Sequence, residues 1–481
     1  MQFHTYIFIF AFFPVCVLGY FLLNRWKPRA GKHWLLLSST VFFLYGGWKS
    51  AFWLLLSILF NCSAACLLMR TQKKRRAVFC TAIAVNVLLL VWFKCRGFFA
   101  SDSFVPILSK TEKELVLPLA ISFYTFQQIA FLCDVYRRES ETYSLEDYLL
   151  YILFFPKLLM GPITEPENLI PQFHDSSRLH ANSGNIASGL RLFAIGLAKK
   201  AVLADSFAVA APWLISNLQA ASSLDALICT LAYTFEIYFD FSGYSDMAIG
   251  IARSLNFELP MNFDSPYKAV SIGDFWKRWH VSLTAFLTRH IYIPLGGNRK
   301  GTARTCLNIM IVFLVSGAWH GSGLVFLIWG AVHGILSVLE RLGKNLIVII
   351  PKPVRWLMTF TSVSLLWIAF YAESSAQWLE IIIRIFRFDG LPVSMELYDL
   401  FAFPETGLIK DLLYVCSVKE LSNVIWPVLY LSLGFFLCLI PQNSCRTADR
   451  LTPSGAVFSA VALVFGIIHL AGETVFIYSG F

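Results

Sequence analysis

The sequence predicts an all-α integral membrane protein, because its composition is strongly apolar and its apolar residues lie in long runs. Of its 481 residues, 57% are hydrophobic and only 14% are charged. A soluble fold could not bury so much apolar surface, so a bilayer has to solvate part of it. A helix needs about 20 mostly apolar residues to cross the hydrocarbon core, and several runs approach that length.

The runs predict about ten to thirteen membrane helices, some of them tilted or broken. We expect Met1–Leu23 to stay as the first span, because it lacks the basic start and the small-residue cleavage site of a secretory signal. The clear candidates are Tyr6–Leu23, Ala51–Met69, Ala77–Phe93, Cys306–Trp319, Gly323–Leu339, Trp356–Tyr371, Ile425–Ile440 and Ala456–His469. Shorter or more polar candidates are Trp34–Trp48, Leu115–Cys133, Tyr148–Met160, Ile186–Leu203 and Leu224–Tyr238.

No repeat, Pro-rich linker or low-complexity tail divides the chain, so we expect one polytopic domain over residues 1–481. Residues 1–110 would form N-terminal helices, residues 115–340 a core that carries the polar motifs, and residues 341–481 C-terminal helices.

The net charge of +9 indicates membrane topology rather than a nucleic-acid partner, because the basic residues cluster at the ends of apolar runs. The run Tyr6–Leu23 is followed by Arg25, Lys27, Arg29 and Lys32, and the run Ala51–Met69 is followed by the basic segment Arg70–Arg76. Lys49 alone lies between the runs Trp34–Trp48 and Ala51–Met69. By the positive-inside rule, both basic loops are cytoplasmic and the N-terminus lies outside.

An acidic segment, FDFSGYSD at 239–246, directly follows an apolar run. Asp240 and Asp246 would each cost about 2.5–3.5 kcal/mol near the centre of a membrane helix, so they should face protein or a water-filled cavity. The pattern favours a helix-end pair that orders a turn around Gly243 over a direct role in chemistry.

The segment 274–292 has the pattern of one amphipathic interfacial helix. Trp276, His280, Leu283 and Leu287 recur at helical spacing, and Asp274 is suited to cap the start. His280 therefore lies on the apolar stripe. From the stripe alone, a structural hydrogen bond to a backbone carbonyl is favoured over a functional role.

His320 stands at a short polar joint, His-Gly-Ser-Gly, between two apolar runs. The joint leaves no room for a surface loop, so the sequence predicts either one over-long span or two half-buried helices that meet at a break. An ionisable group at this position serves either helix packing or function, and the neighbouring residues favour neither interpretation over the other. Neither a zinc-type HExxH motif nor a GxSxG serine motif is present.

Four segments resemble the membrane-bound O-acyltransferase family, and its bacterial branch that modifies alginate and teichoic acid in particular. The resemblance covers most of the chain from Ser122 onward, and the LGGNRKG ending favours the alginate-type subgroup. The segments are SFYTF at 122–126 with DVYR at 134–137, FDFSGYSDMAIG at 239–250, the block from PMNFDSPY through DFWKRWHVSL to IPLGGNRKG at 260–301, and GAWHG at 317–321.

The resemblance implies a ring of tilted helices with re-entrant or interfacial segments and a central funnel. It also implies that His320 is catalytic and that His280 acts with it, which reverses the preference stated above for His280. The residues expected to line the substrate tunnel or support the site are Trp319, Asp274, Arg278 and Asp240. No metal and no bound cofactor are expected.

The chemistry implied is transfer of an acyl group, most simply acetyl, to an exported or cell-surface polysaccharide at a bacterial inner membrane. The donor would be a cytosolic thioester, acetyl-CoA or an acyl carrier, and a separate periplasmic or extracellular acetyltransferase would complete the reaction. The alternatives are D-alanyl transfer onto teichoic acid and, in another class, a membrane transporter. A transporter usually shows paired broken segments in two repeats, and this sequence has one break and no repeat.

Acyl transfer to a hydroxyl needs a base, because a hydroxyl is a poor nucleophile at neutral pH. Neutral His320 could take the proton, for a gain of about 10² to 10⁴ in rate. His280 could hold the tautomer of His320, polarise the carbonyl or position the acceptor. Direct transfer and a transient acyl-enzyme both stay open.

Overall fold

The structure is a computed structural model that describes residues 1–99, 117–137, 143–321, 323–388, 394–401 and 419–471. These residues form helices and no strand, which confirms the predicted fold class. The longer α-helices are Phe13–Trp26, Pro28–Leu44, Trp48–Arg70, Arg75–Phe99, Ile121–Arg137, Leu145–Leu153, Ser183–Ala198, Ala210–Asn217, Ser223–Ser254, Gly301–His320, Leu324–Leu342, Lys352–Trp367, Ser375–Phe386, Lys419–Leu439 and Pro453–Ile468. Ser322 and the first two residues of the predicted span Leu115–Cys133 lie outside the described residues.

Within the described ranges, six helices are long and apolar enough to cross a membrane, fewer than the predicted ten to thirteen. They are Phe8–Trp26, Trp48–Arg70, Arg75–Lys94, Gly301–His320, Leu324–Leu342 and Lys352–Phe370, with two shorter apolar helices at Pro427–Leu439 and Pro453–Ile468. Several other predicted spans are internal helices. Every residue from Ile121 to Asp134 is buried, for example, so that helix carries polar side chains that lipid would not tolerate.

The helix Ser223–Ser254 forms the centre of the molecule. A capping box starts it: Ser222 Oγ accepts from the Asp225 backbone N–H at 3.1 Å, and Asp225 Oδ2 accepts from the Ser222 N–H at 3.0 Å. Every residue from Ala232 to Ala252 is buried. This helix packs closely against Ser183–Ala198, because a Cβ on Gly243 would lie 2.7 Å from the Gly196 carbonyl oxygen.

The acidic segment is therefore not a turn, which corrects the prediction for residues 239–246. It lies inside the central helix, and Gly243 serves the close helix contact instead. Asp240 pairs with Lys200 at 2.7 Å, and Asp246 pairs with Lys199 at 2.6 Å. Both lysines come from the π-helix Lys199–Ala204.

At His320 the chain reverses direction, so the predicted single over-long span is wrong, and two helices meet at a break as the other prediction had it. The helices Gly301–His320 and Leu324–Leu342 form a hairpin. Gly317 packs against Phe326, and Phe313 packs against Gly330. As residue numbers rise along the first helix, those of the contacted residues fall along the second, so the two helices are antiparallel. A Cβ on Gly317 would lie 2.4 Å from the Phe326 carbonyl oxygen, which explains how the joint can be so short.

The two basic turns predicted to be cytoplasmic are each held by contacts to neighbouring segments. Lys32 Nζ lies 3.0 Å from Asp147 Oδ1, and His174 Nε2 lies 2.9 Å from the same carboxylate. Arg75 donates to the Val135 carbonyl at 2.7 Å. These contacts tie one loop to the helix Leu145–Leu153 and the other to the helix Ile121–Arg137. That both loops are cytoplasmic, with the N-terminus outside, stays a prediction.

Candidate active site

His320 is the last residue of its helix, at the tip of the hairpin, and its side chain is buried with 2% exposed. Its Nδ1 lies 2.7 Å from the Ser316 carbonyl oxygen. Because a carbonyl oxygen only accepts, Nδ1 carries the proton and Nε2 carries the lone pair. The helix itself therefore fixes which nitrogen of a neutral His320 ring carries the lone pair.

His280 is buried, with 1% exposed, but not on a continuous helix as predicted. The segment consists of the helices Ile272–Trp276 and Val281–Leu287 and the π-helix Thr288–Tyr292. His280 separates the first two in the left-handed region at φ 44°, ψ 51°, which a residue with a side chain adopts only at a cost. Its Nδ1 lies 3.2 Å from Asn262 Oδ1.

Aromatic rings bring the two histidines together across 40 positions of sequence. The Trp319 ring lies 4.8 Å from the His320 ring and 6.1 Å from the His280 ring, between centroids. Phe241 covers His280 at 4.8 Å and Trp329 covers His320 at 4.9 Å. Both imidazoles thus lie in one water-poor aromatic layer, where electrostatic interactions are stronger than in solution.

A cleft of about 970 Å³ runs along the Gly301–His320 helix as far as Ser316, one helical turn before His320. Thr302 and Ser316 both line it, and 14 residues of α-helix extend about 21 Å. Ser316 is the residue whose carbonyl accepts from His320. The apolar wall includes Leu283, Leu287, Ile309, Val312 and Phe313, and the charged lining consists of Lys277, Arg341, Lys344, Arg355 and Glu340.

The predicted supporting residues divide into two groups. Trp319 joins the histidines, as described above. Asp274 does not cap the helix, because Ser271 does, with its side chain accepting from the Asp274 N–H. Asp274 instead pairs with Arg278 at 2.8 Å in a half-buried ion pair, and Asp240 belongs to the buried ion pair with Lys200.

Four contributors to the site were not singled out from the sequence. Asn262 contacts His280, Trp329 covers His320, and Lys94 donates to the Trp319 carbonyl while its Nζ lies 5.2 Å from that ring's centroid. The His333 ring lies 4.9 Å from the Trp329 ring, between centroids, and its Nδ1 accepts from the Trp276 indole N–H at 3.3 Å. Of the four, only Asn262 lies in a motif on which the family resemblance rests. It is the one polar residue of PMNF, and this was the only sequence signal that pointed to any of the four residues.

Residues 41–376 match the model of the membrane-bound O-acyltransferase family, a stretch that contains both histidines and most of the cleft. The chain belongs to this family and is a multi-span membrane O-acyltransferase. This confirms the resemblance seen in the sequence.

The relatives include a peptidoglycan O-acetyltransferase of Helicobacter pylori, which is 40% identical over 100% of this chain and 98% of the relative. A probable alginate O-acetylase of Pseudomonas aeruginosa is 36% identical over 78% of this chain and 72% of its own length. The teichoic acid D-alanyltransferase of Bacillus subtilis is 25% identical over 54% of this chain and 67% of its own length.

Proposed function

We propose that the protein transfers an acetyl group from a cytosolic thioester for O-acetylation of an exported or cell-surface polysaccharide, at a bacterial inner membrane. The observation that carries this proposal is the pair His280 and His320, joined by Trp319, one helical turn from Ser316 in the lining of a cleft that also carries basic residues. Peptidoglycan is the first acceptor to test, because the peptidoglycan O-acetyltransferase matches along the whole chain.

The cleft fits an anionic donor with an extended arm. Lys277, Arg341, Lys344 and Arg355 outnumber the one acidic lining residue, Glu340, and would attract the phosphates of acetyl-CoA or the acidic surface of an acyl carrier. The apolar wall would hold the arm, and the thioester would reach the turn of Ser316 and His320. In this orientation the donor comes from the basic, cytoplasmic face.

The reaction follows from the tautomer of His320, whose Nδ1–H donates to the Ser316 carbonyl and leaves the basic lone pair on Nε2. Nε2 takes the proton of the acceptor hydroxyl as its oxygen attacks the thioester carbonyl carbon, which gives a tetrahedral intermediate. The intermediate collapses with cleavage of the C–S bond, and Nε2–H returns the proton to the thiolate. The products are an ester and a free thiol, so atoms and charge balance. No acyl-enzyme is required.

We propose that the acceptor reaches the histidines from the opposite face, where a separate periplasmic or extracellular acetyltransferase receives the acyl group or completes its transfer. D-alanyl transfer is the less supported alternative, because the D-alanyltransferase relative shares 25% identity over 54% of the chain.

The test is His320→Ala in the full-length protein, with ester-linked acetate on the surface glycan as the readout. We expect acetylation to fall by about 10² to 10⁴ if base catalysis by His320 is lost. His469→Ala is a matched control, because its Nδ1 makes the same contact with the fourth preceding carbonyl, Phe465 O at 2.8 Å, outside the aromatic layer.

Membrane insertion is checked for both variants by quantifying the protein in the washed membrane fraction. Normal insertion with unchanged acetylation in His320→Ala would overturn the catalytic assignment. Lost ester-linked D-alanine with retained acetate would instead support the teichoic acid alternative.

A further inference from the structure

We propose that Asn262 is a positioning residue that fixes the tautomer of His280, and so makes Nε2 of His280 the acceptor for a hydrogen-bond donor of the incoming substrate other than the reacting hydroxyl. This inference rests on the proposed function and deepens it. Asn262 is fully buried, and it lies 18 positions before His280 in the chain.

The oxygen of the Asn262 amide is identified by its other partners. Oδ1 lies 3.2 Å from the Ser282 backbone N–H and 2.8 Å from Ser282 Oγ. A backbone N–H can only donate, so the atom facing it is an acceptor, and the amide cannot be flipped. The same oxygen contacts His280 Nδ1 at 3.2 Å.

It follows that His280 Nδ1 carries the proton in the neutral ring. Its Nε2 then carries a lone pair, and within the described residues this buried nitrogen has no hydrogen-bond partner. A buried acceptor without a donor costs free energy unless a ligand or water supplies one. A substrate hydroxyl is such a donor.

This assignment separates the three roles open to His280. A neutral ring with Nε2 unprotonated cannot donate to a thioester carbonyl, so it does not polarise that group. The tautomer of His320 is already fixed by Ser316, so His280 is not needed for that. What remains is to accept a hydrogen bond from a second donor of the acceptor molecule, a hydroxyl or N–H other than the reacting one, and so hold the reacting hydroxyl where its proton can pass to His320.

The surroundings of Asn262 hold it in place for this role. Its Nδ2 lies 3.4 Å from Ser245 Oγ on the central helix, and its backbone carbonyl accepts from the Val281 N–H at 2.9 Å. Asn262 is thereby tied to the two residues that follow the left-handed His280, Val281 and Ser282. The strained backbone and the tautomer are set by one residue.

The experiment compares Asn262→Ala, Asn262→Asp, His280→Ala and the double variant Asn262→Ala/His280→Ala in inverted membrane vesicles. Vesicles carrying the full-length protein retain the outward-facing glycan and any partner protein in the lumen, and acetyl-labelled acetyl-CoA is added outside. Ester-linked label per inserted protein gives the rate. Asn308→Ala is the control, since Asn308 is also fully buried and donates to the Gly297 carbonyl at 2.9 Å.

We expect Asn262→Ala to lower the maximal rate by about tenfold or more, with no further loss when it is added to His280→Ala, because both changes remove one function. Asn262→Asp keeps the acceptor atoms but places a carboxylate against Nδ1–H. This raises the pKa of His280, so the acid limb of the pH–rate profile moves to higher pH. His320 is the other titratable group facing His280 and is unchanged in this variant.

Three outcomes are distinguishable. An unchanged rate and acid limb in Asn262→Ala and Asn262→Asp, with His280→Ala impaired, would overturn the role of Asn262 and leave the proposed function intact. Full activity of His280→Ala would overturn both the part given to His280 beside His320 and its role as a hydrogen-bond acceptor for the substrate. If Asn262→Ala fails to insert, the shift of the acid limb in Asn262→Asp decides alone.

Discussion

Asp240→Asn tests whether the buried carboxylates of the central helix serve stability or chemistry. Asp240 Oδ1 lies 2.7 Å from Lys200 Nζ, and the two side chains are 2% and 3% exposed. Removing one partner of a buried ion pair costs about 3–5 kcal/mol. Because Asp205 still lies 2.9 Å from Lys200 and offsets part of its charge, we expect about 3 kcal/mol, near the lower end.

The assay is thermal unfolding of the purified full-length protein, together with acetyl transfer per folded molecule. We expect a clearly lower Tm and unchanged activity per folded molecule. Asp449→Asn is the matched control, because Asp449 pairs with Arg253 at 2.8 Å but is 75% exposed, so its loss should cost at most about 1 kcal/mol. An unaltered Tm with lost activity would refute the structural role of Asp240.

Two further predictions concern the hairpin and the cleft. Gly317→Ala should greatly reduce the yield of monodisperse protein after extraction, since its Cβ would lie 2.4 Å from a backbone oxygen, whereas Gly323→Ala, with its nearest contact at 3.5 Å, should extract normally. Equal yields would mean that the helices separate easily. Lys344→Glu combined with Arg355→Glu should raise KM for acetyl-CoA by roughly tenfold with little change in kcat, measured as initial rates in vesicles, because attraction of phosphate becomes repulsion. An unchanged KM would mean that acetyl-CoA does not bind in this cleft.

The class of fold and the two histidines could be predicted because each leaves a local signal. Apolar runs reveal membrane helices directly, and His320 is conspicuous as an ionisable residue between two of them. The number of spans was harder, because an internal helix such as Ile121–Arg137 has a mixed composition that reflects protein neighbours rather than lipid.

The details that position the site depend on contacts distant in sequence. The left-handed conformation of His280 breaks a helix that periodicity predicts, and the contact with Asn262 that accompanies it comes from an extended segment with no periodic pattern. Asp240 and Asp246 looked like a turn because their lysine partners, Lys200 and Lys199, lie 40 and 47 positions earlier. Likewise, the reversal at His320 depends on which glycines face each other across the hairpin.

The aromatic layer around the histidines has a consequence for the energetics of the cell. Trp319, Trp329 and Phe370 surround the His320 ring at centroid distances of 4.8 to 5.5 Å. Rings packed this closely leave little room for a continuous file of water, and ions cross such apolar constrictions poorly. We expect the protein to pass an acyl group from one side of the membrane to the other without letting protons leak across it. A bacterium could then carry many copies in an energised membrane.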